Sequence, residues 1–275
     1  MILFSLKSYF LKSKKKWLLT FLVMITISIV LKYNTGVFLP KGKDLLVWDY
    51  IFFSFSEPIV FLLLAPFMFT YLIGDIFTYD LKYRYLELIM VRANKRFQYF
   101  VSKVLIIFIS SNLFSLCFLM SLFTCSFIFK MQLEGNYYYD VTIISLEISN
   151  SIVHTLIIQY ILFAMFLTAL GTFILAISIL FKSSVYGFIG LAIFLQNGHN
   201  AIFNNNNAMF YSPFAQAPLY YHSPFFSYLS SDNTSTLSKY FTISYSLSYL
   251  YGMFLIFFLV GCIRFRKMNI SSKGW

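Results

Sequence analysis

Long runs of apolar residues, nearly free of charge, constrain this chain more than any other feature of its sequence. A membrane-spanning helix needs roughly 20 apolar residues. Six stretches approach that length: 17–31, 51–73, 104–129, 152–181, 185–202 and 241–263. The fifth is apolar only as far as Leu195, after which come Gln196, Asn197 and Gly198. The fourth is longer than a bilayer requires and is expected to tilt, protrude or bend near Gly171.

Composition leaves little alternative to lipid as the solvent. Charged residues make up 11% of the 275 and apolar ones 59%, whereas soluble domains carry about 25% charged residues. The 35 Phe and 21 Tyr suit lipid-facing and interfacial positions. The fold class expected is therefore an all-α integral membrane protein with about six transmembrane helices. The net charge of +11 does not point to nucleic acid, because the basic residues lie between hydrophobic stretches and not on one face of a soluble domain. The richness in Lys, Asn, Ile, Phe and Tyr is that of an AT-rich genome and points to a bacterial plasma membrane.

Lys and Arg set the orientation, since cytoplasmic loops retain positive charge. With residues 1–16 inside, the inner segments hold Lys7, Lys12, Lys14, Lys15, Lys16, Lys82, Arg84, Arg92, Lys95, Arg96, Lys103, Lys182, Arg264, Arg266, Lys267 and Lys273. Of the 21 Lys and Arg, that leaves only Lys32, Lys41, Lys43, Lys130 and Lys239 outside. The N-terminus and C-terminus are thus both expected in the cytoplasm. No small-x-small cleavage site follows the first apolar stretch, so it reads as a retained helix.

Two segments outside the spans stand out. Residues 2–16 place Ile2, Leu6, Tyr9 and Phe10 on one side and Lys7, Ser8 and Lys12 on another. That pattern fits either a helix lying in the membrane interface or a plain basic flank. Residues 197–240 form a long outer segment rich in Phe and Tyr, with Pro213, Pro218 and Pro224, and are expected to pack at the outer membrane surface with short re-entrant helices.

Candidate chemistry is sparse. Glu57, which precedes Pro58, and His154 lie near outer helix ends with no second partner beside either, and His199 and His222 are too far apart in sequence for a metal motif. Cys117, Cys125 and Cys262 are odd in number and fall inside apolar stretches, as small core residues do. No GxxxxGK[ST] loop is present, so the chain is not expected to hydrolyse ATP. No catalytic residue, metal or cofactor is expected, nor the matched broken helices of a secondary transporter.

The inner loop 74–103 is the informative segment. Leu81, Tyr85, Leu88 and Ile89 recur at helical spacing beside Lys82, Arg84 and Glu87, and a break at Ala93-Asn94 precedes Lys95-Arg96. Such an amphipathic cytoplasmic helix can rest on lipid headgroups or fill a partner's groove.

In this segment the chain resembles the permease subunits of exporter-type ATP-binding-cassette (ABC) transporters. Asp75 or Asp80, Leu86-Glu87-Leu88-Ile89, Arg92, Ala93-Asn94, Lys95-Arg96 and Lys103 stand in the order of that family's first cytoplasmic loop. Tyr83-Arg84-Tyr85 stands where the family commonly has Gly-Thr. The resemblance implies six helices, an interfacial N-terminal helix, and a coupling helix carried by Tyr85, Leu86, Glu87, Leu88, Ile89, Arg92, Lys95 and Arg96. It also implies a cytosolic ATPase and a second permease subunit as partners, within membrane lipid. The function implied is export of a hydrophobic or amphipathic substrate. The alternative is a non-transporting accessory or immunity protein that sequesters a peptide at the outer surface.

Overall fold

In lipid a backbone must satisfy its own hydrogen bonds, and an uncharged run of about 20 residues does so as a helix. The computed structural model describes residues 2–37, 44–83, 86, 96–149, 151–203, 206–223, 225 and 241–268, and these are helical with no strand among them. Phe4–Gly36, Ile59–Lys82, Arg96–Ile128, Ile152–Phe181 and Ile243–Lys267 are helical stretches long and apolar enough to cross a membrane. The chain is an all-α, multi-pass membrane protein.

The first helix, α1, runs without interruption over Ile2–Val37. Residues 2–16 do not form a separate interfacial helix. Lys14, Lys15 and Lys16 are good helix formers and carry the chain straight into the span. At 1.5 Å per residue its 36 residues exceed the roughly 30 Å hydrocarbon core.

The second span is not the unbroken helix that 51–73 suggests. Helix α2 (Val47–Ser56) stops at Glu57, a π-helical segment occupies Ile59–Leu64, and α3 (Ala65–Ile73) completes the pass. Pro58 causes the break, having no N–H to offer the Ser54 carbonyl. The chain recovers by turning the N–H groups of Val60 and Phe61 onto the single carbonyl of Glu57, at 2.9 and 3.3 Å. A short α4 (Thr78–Lys82) follows, and α5 (Arg96–Ile128) begins ahead of the expected residue 104.

Helix α6 (Asp140–Ser149), which the hydrophobic pattern does not reveal, precedes α7 (Ile152–Phe181). α7 is one continuous helix, and Gly171 marks a close approach in it. A Cβ there would lie 2.5 Å from Ile107 Cγ2 and 2.8 Å from Ile73 Cδ1. Lys182, at φ 56°, ends α7 in a left-handed turn, and α8 (Ser184–Phe203) starts two residues later. The last helix, α9 (Ile243–Lys267), is capped by the Thr242 hydroxyl, which accepts from Tyr245 N–H at 3.2 Å.

Contacts fix which ends of the helices lie together. At one end, here the basic end, Ser102 Oγ meets Ser5 Oγ at 3.4 Å, Lys16 pairs with Asp75 at 2.8 Å, and Phe77 packs edge-on against Phe265. At the opposite, aromatic end, Tyr33 meets Phe129, Val47 N–H donates to Gln132 O at 3.0 Å, and Gln159 Nε2 donates to Ala217 O at 3.0 Å. α8 makes the passage between the two. Its Gly187 sits against Ile174, Phe194 packs on Phe173 at 4.3 Å, and Gly198 lies under the Phe214 ring, which itself touches Phe166. Among the described residues the five apolar stretches and α8 run between the two ends, and residues 5, 16 and 265 lie at the same end of the bundle.

α7 is the central helix. Of its most apolar stretch 83% is buried, against 28% for α1 and 22% for α9, whose outer faces are left to lipid. Hydroxyl pairs join neighbouring helices inside the bundle: Ser28 with Ser121 at 2.8 Å, and Ser111 with Thr168 at 2.6 Å. Such pairs hold helices where lipid supplies no hydrophobic drive to associate.

Candidate functional site

Of the residues that carry the family resemblance, the structure describes Asp75, Asp80, Leu86, Arg96 and Lys103, and Asp75, Asp80, Arg96 and Lys103 make their contacts at the basic end. Gly74 closes α3 by donating to Thr70 O at 2.7 Å, and the turn at 74–77 sets α4 across the foot of the bundle. Asp80 on α4 is thereby held against the second turn of α5. Lys103 Nζ lies 2.6 Å from Asp80 Oδ2, and Tyr99 O–H donates to the same oxygen at 2.8 Å. Asp80 and Lys103 are 7% and 6% exposed, so the pair is shielded from water. Of the two acidic candidates, Asp80 is the one that meets Lys103. Asp75 is half exposed and pairs with Lys16 instead, a bond of the kind that contributes about 0–1 kcal/mol.

Aromatic rings link this pair to the last helix. Phe265 stacks on Tyr99 at 5.5 Å and on Phe100 at 6.3 Å. Arg96 adds a polar link: its Nη1 donates to Arg266 O at 2.7 Å and to Met268 O at 3.1 Å. Carbonyls at a helix C-terminus lack intrahelical partners, and a guanidinium is a suitable cap for them. Arg96 is thus occupied within the chain.

Of the other residues expected in the coupling helix, Leu86 is fully buried. Tyr85, Glu87, Leu88, Ile89, Arg92 and Lys95 lie outside the described residues. Tyr99, Phe77 and Phe265 escaped the sequence reading because aromatic residues are common throughout the chain and nothing in their spacing distinguishes these three.

The aromatic end is built differently. Residues 212–219 do not lie out on the membrane surface. Phe214, Ala215, Gln216, Ala217 and Leu219 are wholly buried between α7 and α9, with 3-10 turns at Asn206–Tyr211 and Leu219–Tyr221. Gln159 on α7 accepts from Leu219 N–H at 2.8 Å. His222 places Nδ1 3.0 Å from Pro218 O and Nε2 2.6 Å from Ser246 Oγ, and that hydroxyl also meets Gln216 Oε1. Burial pushes the His222 imidazole down to about 4, which keeps it neutral. Asp49 accepts the N–H groups of Tyr138 and Tyr139, at 2.9 and 3.4 Å.

The His222–Ser246 pair sets a base beside a hydroxyl, but both side chains are wholly buried and the hydroxyl is also engaged by Gln216. Among the described residues no group of three or more His, Cys, Asp or Glu could hold a metal. The arrangement at the basic end can hold helices together and pass a displacement between them.

No curated protein and no solved structure matches the chain. Residues 17–271 match the family described as protein of unknown function (DUF2705). That match runs from within α1 past the end of α9, and the chain belongs to this family.

Proposed function

We propose that this chain is a membrane-spanning permease subunit of an ABC exporter in a bacterial plasma membrane, with the basic end in the cytoplasm. The single observation that carries the reading is the double tether on the segment between α4 and α5. One side of it is held by Asp80 to Lys103, and the other by Arg96 to the end of α9. A push on this segment moves α4, α5 and α9 together, as a coupling element must if a cytosolic ATPase is to rock the bundle. The order of residues over 75–103 supports the same reading through its resemblance to exporter permeases.

ATP is hydrolysed by the partner, two permease subunits form the pathway, and the cargo is hydrophobic or amphipathic. The accessory or immunity reading has less support, because the outer segment that would seize a peptide has its apolar residues Phe214 to Leu219 already buried within the chain.

The test is capture of a candidate cytosolic ATPase, with wild-type and Leu88→Asp forms at equal membrane levels. Leu88→Asp places a charge in the docking groove and is expected to weaken capture by about 30-fold or more. The isolated chain is expected to show no ATP turnover. Undiminished capture and transport with Leu88→Asp would sink the proposal.

A further inference from the structure

The outward face of α5 carries an amide where lipid offers it no partner. Asn112 lies midway between the ends of the helix Arg96–Ile128, within the hydrocarbon layer, and is partly exposed. Its Nδ2 donates to Phe108 O at 2.8 Å, which uses one of the two amide hydrogens and fixes which way the amide points. Tyr160 O–H divides one hydrogen between Asn112 O at 3.2 Å and Asn112 Oδ1 at 3.3 Å. Among the described residues a second N–H hydrogen and part of the acceptor capacity of Oδ1 are left over. Exposed hydroxyls of the spans are in a different position: Thr124 donates its single hydrogen to Met120 O, and Thr26 donates its own to Val23 O. A primary amide cannot be completed in that way by its own helix.

Asn112 also stands at the middle of a seam. Leu105, Ile109, Asn112, Leu116 and Leu119 follow one another at alternating steps of four and three residues, the spacing with which one helix packs along another, and each is at least partly exposed. Phe108, Leu113 and Met120 flank them and are exposed as well. The neighbouring helices approach α5 on its other sides, α1 through Ser28 to Ser121 and α7 through Thr168 to Ser111, and leave this face open.

Two properties of the seam identify its occupant. An amide carries both a donor and an acceptor and is therefore its own complement. Copies of one chain enter a membrane in the same orientation, so a residue at mid-depth meets its counterpart at the same depth across a two-fold axis normal to the bilayer. Asparagine amides hydrogen-bond between helices in lipid, and a single one within a heptad seam sets the register of the pair.

We propose that this face of α5 is the contact between two copies of the chain. The two α5 helices run parallel, Leu105, Ile109, Leu116 and Leu119 pack against their counterparts, and the two Asn112 amides hydrogen-bond to each other at the centre. The inference deepens the permease reading, on which it rests for the presence of two subunits, by naming the face through which they join; it needs no ATPase.

The experiment uses the full chain carrying Cys117→Ala, Cys125→Ala and Cys262→Ala. In native membranes treated with copper phenanthroline in air, added Ile109→Cys or Leu116→Cys should give disulfide-linked dimers, and Ile256→Cys, equally exposed to lipid on α9, should not. Energy transfer between fluorescently labelled chains, followed as phosphatidylcholine vesicles are diluted with lipid, measures association without a crosslink. Asn112→Leu is expected to weaken that association by about fivefold to thirtyfold, and Asn112→Gln to retain most of it. In both variants Tyr160 keeps the backbone carbonyl of residue 112, so the bundle itself should melt as the wild-type chain does. Undiminished association of Asn112→Leu, or crosslinking at Ile256→Cys in place of Leu116→Cys, would overturn the proposal; the latter would leave a paired permease standing. Dimers that form through α5 in a chain that captures no ATPase would support this contact and remove the permease reading.

Discussion

Lys103 Nζ lies 2.6 Å from Asp80 Oδ2, and both side chains are nearly inaccessible to water. A buried ion pair adds little net stability over an apolar replacement, but removing one member strands the other charge at a cost of about 3–5 kcal/mol. Lys103→Met and Asp80→Asn are therefore each expected to lower the thermal midpoint of the purified chain sharply. The double variant Asp80→Leu/Lys103→Met should lose less than the sum, the remainder coming from the orphaned Tyr99 hydroxyl. Strictly additive losses in the melting curves would show that the two side chains do not act as a pair.

His222 makes the aromatic end sensitive to acid. Its folded pKa of about 4 lies below the unfolded value of about 6.5. The unfolded chain therefore takes up a proton at a pH where the folded chain does not. Stability is complete above about pH 6.5 and falls as the pH drops toward 4, by about 3 kcal/mol at the lower limit. Melting temperatures between pH 7.5 and 5 should fall more steeply for the wild-type chain than for His222→Gln, and parallel slopes would contradict the assignment.

Gly171 and Gly252 should answer the same substitution in opposite ways. A Cβ at Gly171 strikes Ile107, Ile73 and Phe69, while at Gly252 it meets nothing within 4 Å. Gly171→Ala is expected to cost about 1–3 kcal/mol through overpacking. Gly252→Ala should be neutral or stabilise by about 0.5–1 kcal/mol, since the helix α9 gains propensity. Chemical denaturation of the two variants side by side checks both signs.

The even number of passes can be tested by labelling. In a background with Cys117, Cys125 and Cys262 replaced by Ala, Tyr211→Cys should react in intact cells with a membrane-impermeant maleimide, because Tyr211 is 76% exposed at the aromatic end. Lys82→Cys, at the basic end, should react only after the membrane is opened. The reverse pattern would invert the orientation taken from the Lys and Arg distribution.

The sequence displayed the spans well because hydrocarbon leaves a helix no competitor: Ile152–Phe181 has the limits its apolar run indicates. It concealed features that depend on tertiary partners. The continuity of α1 across Lys14 to Lys16 and the burial of Phe214 to Leu219 leave no periodic signature. Pro58 was visible as a residue, but the π-helical segment after it depends on how the freed carbonyls settle. At the basic end the sequence offered Asp75 and Asp80 without choosing between them. The choice follows from the reach of Lys16 and Lys103, which only the packing of α1 and α5 determines.

Lys182 and Ser183 alone join α7 to α8, in a turn that Lys182 makes left-handed. The outer third of α8 carries Gln196, Asn197, His199 and Asn200, and polar side chains of this kind weigh against a segment entering the bilayer by itself. With so short a turn, α8 cannot part from α7 during synthesis, and the two leave the translocation machinery as one hairpin. The polar pass is then inherited from the apolar one before it. A flexible insert of glycine and serine between Lys182 and Ser183 should uncouple them, strand α8 in the cytoplasm, and invert the sidedness of every residue from 206 to the end of α9.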